Sequence, residues 1–196
     1  MRDPSSVTRS VDGNVLHSPG LPAFDLWVDP SIPYLGATEL IIKGIARAER
    51  HHFADVRDGT VRRLFVVQFE GFLPDSEERY AYPLPDPVEL GGVTWGSWVF
   101  AYSAHRDDPA PETTDTLAFL GERRIELEDE QIMARYARIL GDDARNEVLL
   151  FYHEPLRRLG HRLGTIAIEG EIRSAYMSVA TDLRARARRA FRITPR

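Results

Sequence analysis

Two runs of strand-forming residues, from about 44 to 57 and from 60 to 73, flank Asp58-Gly59 in the first half of the chain. Asp-Gly between two such runs is a strong hairpin signal, because a type I′ turn needs positive φ at both central residues. With a two-residue loop, Arg57 faces Thr60 and the register follows by counting outward. This register predicts which side chains share each face of the hairpin.

One face of the hairpin is expected to carry a polar patch between apolar pairs. In the counted register Arg47 faces Glu70 and Glu49 faces Gln68, so the opposed side chains attract each other across the strands. A few convergent polar groups in apolar surroundings are typical of a small-molecule site. We therefore predict a ligand-binding site at Arg47, Glu49, Gln68 and Glu70. A solvent-facing sheet surface is the alternative interpretation.

Further alternating or apolar runs predict additional strands at 24–28, 93–102, 147–153 and 165–168. Residues 39–42 are expected to lead directly into the first long strand. The stretch 130–140 fits both the helix and the strand period, and the turn-like residues that follow it favour a strand in a second hairpin. Strands therefore dominate the predicted secondary structure.

Helical patterns are confined to short segments and to the C-terminal end. Thr113 or Thr114 is placed to cap a short helix that ends at Gly121, and residues 155–163 indicate a turn with a short helical segment. An apolar stripe at three- and four-residue spacing predicts a helix from about Ile172 to Phe191. The fold class is α+β: a curved, mostly antiparallel, half-barrel-like β-sheet with a long C-terminal helix packed on one face and one or two short helices.

The 196 residues are enough for one domain with its own core. Residues 1–22 are polar and interrupted by proline and glycine, which predicts an irregular N-terminal arm ahead of a single α+β domain at 23–196. The chain has no cysteine, which excludes thiol catalysis, disulfides and thiolate metal sites. No stretch resembles a signal peptide or a membrane span, so we expect a cytoplasmic protein that does not bind membranes.

Charge is unevenly distributed along the chain. Lys43 is the only lysine among 25 basic residues, which indicates a GC-rich, bacterial-type genome. Six arginines and no acid follow Asp182, whereas the chain as a whole carries a net charge of −5. Cations at the C-terminal end of a helix are favoured by its dipole, and an acidic body repels a phosphate backbone. A nucleic-acid partner is therefore not expected.

The histidines offer weak candidates for chemistry. His51 and His52 are adjacent in a predicted strand, so they point to opposite faces and cannot bind one metal ion together. His153-Glu154 lies at the end of a predicted strand, which is a common place for a general base. No dinucleotide-binding, nucleophile-elbow or zinc-protease motif is present, and we predict neither a cofactor nor a metal.

Three hypotheses follow for the function. The first is a protein of unknown activity that binds a small, partly apolar ligand in the concavity of the sheet. The second is an enzyme in the same cavity, with Glu70 or Glu154 as the base and His51 or His153 as its partner. The third is a homo-oligomeric interaction or structural protein, with a dimer as the expected state.

Overall fold

The computed structural model describes residues 8–168, 171–172 and 174–196, and strands form most of its regular structure. The strands are β1 Ser10–Asp12, β2 Val15–Ser18, β3 Phe24–Val28, β4 Tyr34–Ile42, β5 Ala46–Arg57, β6 Thr60–Phe72, β7 Val88–Leu90, β8 Val93–Ser103, β9 Glu130–Leu140, β10 Asn146–Pro155, β11 Ala167–Ile168, β12 Glu171–Ile172 and β13 Phe191–Pro195. The helices are α1 Pro111–Glu122, α2 Leu163–Ile166 and α3 Ser174–Ala190, with a 3-10 helix at Leu156–Leu159. No helix in these ranges is both long and apolar enough to cross a membrane.

Most strands belong to two antiparallel sheets, not to the single half-barrel-like sheet expected from the sequence. The larger sheet has seven strands in the order β4-β5-β6-β10-β9-β8-β7, and the smaller one has the order β1-β2-β3-β13. Within the described part of the chain, strands β11 and β12 form a separate two-stranded sheet. Neither main sheet closes into a barrel. The predicted strands at 24–28, 93–102, 130–140 and 147–153 are confirmed, as is the β9–β10 hairpin.

The main hydrophobic core joins one face of the seven-stranded sheet to the smaller sheet and α3. Its side chains come from alternate positions along each strand, as the two-residue period of a β-strand requires. The rings of Phe65 and Phe191 stack with their centroids 5.1 Å apart and connect the two sheets directly. Among the most deeply buried members are Leu16, Leu26, Phe53, Trp95, Ile132, Tyr136, Leu150, Tyr152 and Leu183.

The opposite face of the seven-stranded sheet carries a second apolar cluster beneath α1. Phe119 of α1 stacks on the buried imidazole of His52, with ring centroids 4.2 Å apart. Helix α1 begins at Pro111, where a missing N–H costs no helical hydrogen bond. The prediction that Thr113 or Thr114 caps this helix and that Gly121 ends it is therefore wrong, because α1 begins at Pro111 and includes Gly121. The first turn of α1 borders the cavity described below.

The central hairpin has its predicted turn but not its predicted register. Arg57 pairs with Thr60 and Val56 with Val61, but the next pair is Asp55 with Arg63. Arg62 therefore has no partner on β5, which is the arrangement of a β-bulge. Beyond this point every pair is displaced by one residue from the prediction. Because successive strand residues point to opposite faces, the displacement separates the side chains that were expected to meet.

Other differences from the prediction are local. Residues 10–18, expected in an irregular arm, form the β1–β2 hairpin at the edge of the smaller sheet, whereas residues 1–7 lie outside the described residues. Lys43 and Gly44 have positive φ and form a turn, so β4 and β5 are separate, paired strands. Thr165 belongs to α2 and not to a strand, Ile172 lies in β12, and Phe191 starts β13.

Candidate functional site

A cavity of about 430 Å³ lies on the α1 face of the seven-stranded sheet. Strands β6, β8, β9 and β10 form its floor, and the beginning of α1 with the loop before it forms one wall. Its apolar lining consists of Phe100, Ala101, Pro109, Ala110, Leu127, Met133, Leu149 and Phe151. Its polar lining consists of Arg50, Gln68, Glu70, Tyr102, Ser103, Arg106, Glu112, Thr113, Thr116, Arg135, Glu147 and His153.

Arg50 connects the floor of the cavity to α1. Its guanidinium is buried, donates from Nε to Gln68 Oε1 over 2.9 Å, and donates from Nη2 to Thr116 Oγ1 over 3.1 Å. It also forms an ion pair with Asp115 and donates to the backbone oxygen of Glu112. Because every nitrogen of this guanidinium has a partner and Asp115 balances its charge, Arg50 fixes the wall and is not free to bind a ligand.

Two carboxyl groups lie next to each other on the cavity floor. Glu70 of β6 and Glu147 of β10 are directly opposed in the antiparallel register. Directly opposed residues have Cβ atoms about 5 Å apart and point to the same face. Two carboxylates this close repel each other when both are ionised, so the pair favours a state with one proton.

Tyrosine hydroxyls hold both carboxyl groups in place. Tyr80 donates to Glu70 Oε1 over 2.7 Å, and Tyr82 donates to Glu147 Oε2 over 2.6 Å. Gln68 Nε2 donates to the second oxygen of Glu70 over 2.7 Å. No side chain among the described residues donates to Oε1 of Glu147. That oxygen is therefore the one available to a molecule in the cavity.

The two carboxyl groups differ in acidity. Burial raises the pKa of Glu70, while the hydrogen bonds from Tyr80 and Gln68 oppose this change. Burial and the nearby charge of Glu70 outweigh the hydrogen bond from Tyr82 and raise the pKa of Glu147 to about 7. Burial and the neighbouring carboxyl groups also raise the phenol pKa of Tyr80 and Tyr82, so both remain donors.

Arg135 supplies a positive group beside the carboxyl pair. Its guanidinium lies 5.2 Å from the ring centroid of Trp98 and 6.0 Å from that of Tyr82. Its Nε is buried and has no hydrogen-bond partner among the described residues. Buried donors in proteins are nearly always paired. An oxygen of a molecule in the cavity would supply the partner that this donor lacks.

Among the described residues, neither Glu70 nor Glu154 is hydrogen-bonded to His51 or His153, so none of the glutamate–histidine combinations expected from the sequence is formed. His153 lines the cavity, but its Nδ1 lies 2.9 Å from the hydroxyl of Tyr102, and burial and the charge of Arg50 lower its pKa to about 3. It is therefore neutral and weakly basic at neutral pH. Glu154 accepts hydrogen bonds from Tyr152 and Arg186 and does not line the cavity.

The predicted polar patch is divided between the two faces of the sheet. Gln68 and Glu70 face the first cavity, whereas Arg47 and Glu49 lie on the opposite face. A second cavity of about 320 Å³ is lined by Arg47 and Glu49 together with Glu70 and Glu147, so three of the four predicted residues border it. Burial would raise the pKa of Glu49, but His51, Arg9 and the Thr8 amide outweigh it and lower this pKa to about 2. Glu49 is thus an ionised partner of His51 and Arg9 in a structural cluster.

Arg47, in the second cavity, has fewer hydrogen-bond partners than Glu49. Its Nε and Nη1 are buried without hydrogen-bond partners among the described residues.

His51 and His52 point to opposite faces, as predicted. No group of three or more His, Asp or Glu side chains in the described ranges is arranged to hold a metal ion.

Sequence reasoning did not identify Glu147 or Arg135 as site residues, and for Tyr80 and Tyr82 it favoured core packing over the lining of a cavity. The alternation in β10 does place Glu147 on the same face as Leu149, Phe151 and His153, and this signal was available. The partner strand was not available, because the β6–β10 pairing joins segments far apart in the chain. Comparison of the chain with protein-family models, with curated proteins and with solved structures finds no match.

Proposed function

We propose that the protein binds a small, partly apolar molecule in the cavity between the seven-stranded sheet and α1. The observation that carries this proposal is the composition of the cavity, in which eight apolar residues share the lining with twelve polar ones, among them the opposed pair Glu70 and Glu147 and the incompletely paired Arg135. A volume of about 430 Å³ lies within the range of roughly 300–1,000 Å³ that is typical of ligand sites.

The charges of the cavity support a neutral ligand. Asp115 balances Arg50, and the remaining charged lining residues are two arginines and three glutamates. When Glu147 carries a proton, the charges of Arg106 and Arg135 equal those of Glu70 and Glu112. A net charge on the ligand would therefore be left without a counter-charge, which is costly for a group that leaves water.

The binding test uses N-phenyl-1-naphthylamine, a neutral apolar dye that fluoresces more strongly away from water. Met133→Trp places an indole in the cavity, because Met133 is a half-buried residue of its lining. Met177→Trp makes the same change on the exposed surface of α3, where Met177 is 49% exposed. We expect the dye to bind the unmodified protein and Met177→Trp equally.

The affinity of Met133→Trp for the dye is expected to fall at least about tenfold, equivalent to about 1.4 kcal/mol of binding free energy. Circular dichroism spectra of the two variants provide the control for folding. If Met133→Trp is folded and binds the dye as tightly as Met177→Trp, the cavity is not the binding site and the proposal is wrong.

Three sequence-based expectations remain proposals beside this one: the curvature of the sheet, a cytoplasmic location and a homodimer. The dimer is tested by sedimentation of the full chain. A mass of one chain over the whole concentration range would contradict it.

A further inference from the structure

We propose that Glu147 is a general base that moves a proton between two carbon atoms of a neutral, largely apolar carbonyl compound, with Arg135 holding the negative charge that develops on the carbonyl oxygen. This inference rests on the proposed function, because the substrate has to enter the same cavity. It adds a reaction and a substrate class to simple binding.

The choice of Glu147 over its partner follows from hydrogen bonding. Both oxygens of Glu70 accept hydrogen bonds from side chains, so this carboxylate is already occupied. Glu147 accepts one, from Tyr82, which orients the carboxyl group and leaves Oε1 available. The adjacent charge of Glu70 favours the return of a proton to Glu147. Glu147 is thus placed to take up a proton and to release it again.

Arg135 is the matching group for the oxygen. Proton removal beside a carbonyl group places negative charge on the carbonyl oxygen, and a preorganised donor stabilises that charge. The Nε of Arg135 is a buried donor without a partner among the described residues, and its guanidinium lies against Trp98 and Tyr82. Arg50 cannot take this role because its nitrogens are already engaged.

The reaction balances without a co-reactant. The substrate carries a carbon–carbon double bond one carbon away from its carbonyl group. The Glu147 carboxylate takes a proton from the carbon between the two groups, the C–H electron pair forms a new carbon–carbon double bond, and the C=O π pair moves to oxygen. The resulting carboxylic acid of Glu147 then returns the same proton to another carbon of the conjugated system. The carbonyl double bond re-forms, and the product is an isomer in which a carbon–carbon double bond has moved. The enzyme ends in its starting protonation state.

The test uses 5-nitrobenzisoxazole, a neutral compound of a size suited to the cavity, as a probe of proton removal. A base removes the proton from its ring carbon, the C–H electron pair completes a nitrile, the N–O bond breaks, and a coloured phenolate is released. The probe thus requires both a base and stabilisation of negative charge on oxygen. The rate is measured for the unmodified protein and for Glu147→Gln, Arg135→Met and Glu154→Gln.

Glu147→Gln is expected to lower the protein-catalysed rate about 100-fold, which is the lower end of the contribution that a general base makes to a rate. Arg135→Met should lower it by a smaller factor. Glu154→Gln is the matched control, because Glu154 belongs to the same strand but does not line the cavity, and its rate should equal that of the unmodified protein. The rate of the unmodified protein should rise with pH through a midpoint near 7, the pKa of Glu147.

A rate for the unmodified protein no higher than that of Glu147→Gln overturns the acid–base proposal. If the naphthylamine dye still binds, and Met133→Trp still prevents its binding, the ligand-binding proposal survives that result. If Glu147→Gln does not fold, the proposal is tested by the pH dependence of the rate that the unmodified protein catalyses. A rate that does not change between pH 5 and 9 would count against Glu147 as the base.

Discussion

Tyr82 donates a hydrogen bond of 2.6 Å to Glu147, although 65 positions separate the two residues in the chain. Tyr80 makes the equivalent bond to Glu70. Both tyrosines lie in the segment between β6 and β7, which Arg145 fixes through hydrogen bonds of 2.6 and 2.8 Å to the backbone oxygens of Ser76 and Leu73. This irregular segment therefore opposes the rise in pKa that burial causes in the two carboxyl groups on the cavity floor.

The two tyrosines should have opposite effects on Glu147. Tyr82→Phe removes a donor that favours the ionised form, so the pKa of Glu147 should rise above its value of about 7. Tyr80→Phe should raise the pKa of Glu70, which reduces the repulsion and lowers the pKa of Glu147. Carboxyl ¹³C chemical shifts of labelled glutamate, followed against pH, measure both changes. An unchanged pKa of Glu147 in Tyr80→Phe would show that the two carboxyl groups titrate independently.

Glu147 should make the folded protein less stable as the pH rises. Its folded pKa of about 7 lies above the ordinary value of 4.5, so between these values the unfolded chain releases a proton that the folded chain keeps. Stability is therefore lost as the pH rises from 4.5 to 7. Glu147→Gln should remove this loss and be more stable than the unmodified protein at pH 8, by up to about 3 kcal/mol.

Urea denaturation at pH 4 and pH 8 measures this difference. The two proteins should have similar free energies of unfolding at pH 4, because Glu147 is then protonated in the folded state and largely protonated in the unfolded state. If the free energies of unfolding of Glu147→Gln and the unmodified protein differ by the same amount at pH 4 and pH 8, the raised pKa of Glu147 is contradicted.

Asp115 should be important for stability because it balances the buried charge of Arg50. Asp115→Asn leaves that guanidinium without its counter-charge, and the expected loss is about 3 kcal/mol of unfolding free energy. Asp108→Asn makes the same change at an exposed position in the loop before α1 and should alter stability by less than about 0.5 kcal/mol. Urea midpoints measure both variants, and indistinguishable midpoints would rule out a stabilising role for the Arg50–Asp115 pair.

Gly91 and Gly92 provide a test of the contact between the two sheets. Both have positive φ, so alanine at either position costs about 1 kcal/mol in backbone strain. A Cβ at Gly91 would lie 2.7 Å from Cγ2 of Ile193 in β13, whereas a Cβ at Gly92 would contact nothing within 4 Å. Gly91→Ala should therefore lower the melting temperature clearly more than Gly92→Ala. Equal effects would mean that the β7–β8 turn does not pack on β13.

The sequence was sufficient for local features of the fold. Asp58-Gly59 specified its turn because few residue pairs accept two positive φ angles, and alternation identified β8 and β10. The register could not be obtained by counting, because the bulge at Arg62 depends on packing and leaves no distinct residue signal. One displaced residue was enough to assign Arg47 and Glu49 to the wrong face.

The candidate site was less accessible to prediction than the strands. Gln68 and Glu70 were identified and do line the cavity. Glu147 becomes their neighbour only through the β6–β10 pairing, and Tyr80 and Tyr82 reach the site from a segment without regular structure. Contacts between distant segments depend on the whole topology, which periodicity along a single chain does not encode.

The bulge at Arg62 also has an evolutionary consequence. Deleting that single codon would remove the residue without a partner and leave every other pair unchanged, so that Arg47 would still lie opposite Gly71 and Glu49 opposite Phe69. The same row of side chains would therefore face the cavity. The bulge is thus a position at which a lineage can gain or lose one residue of β6 while the lining of the cavity stays the same.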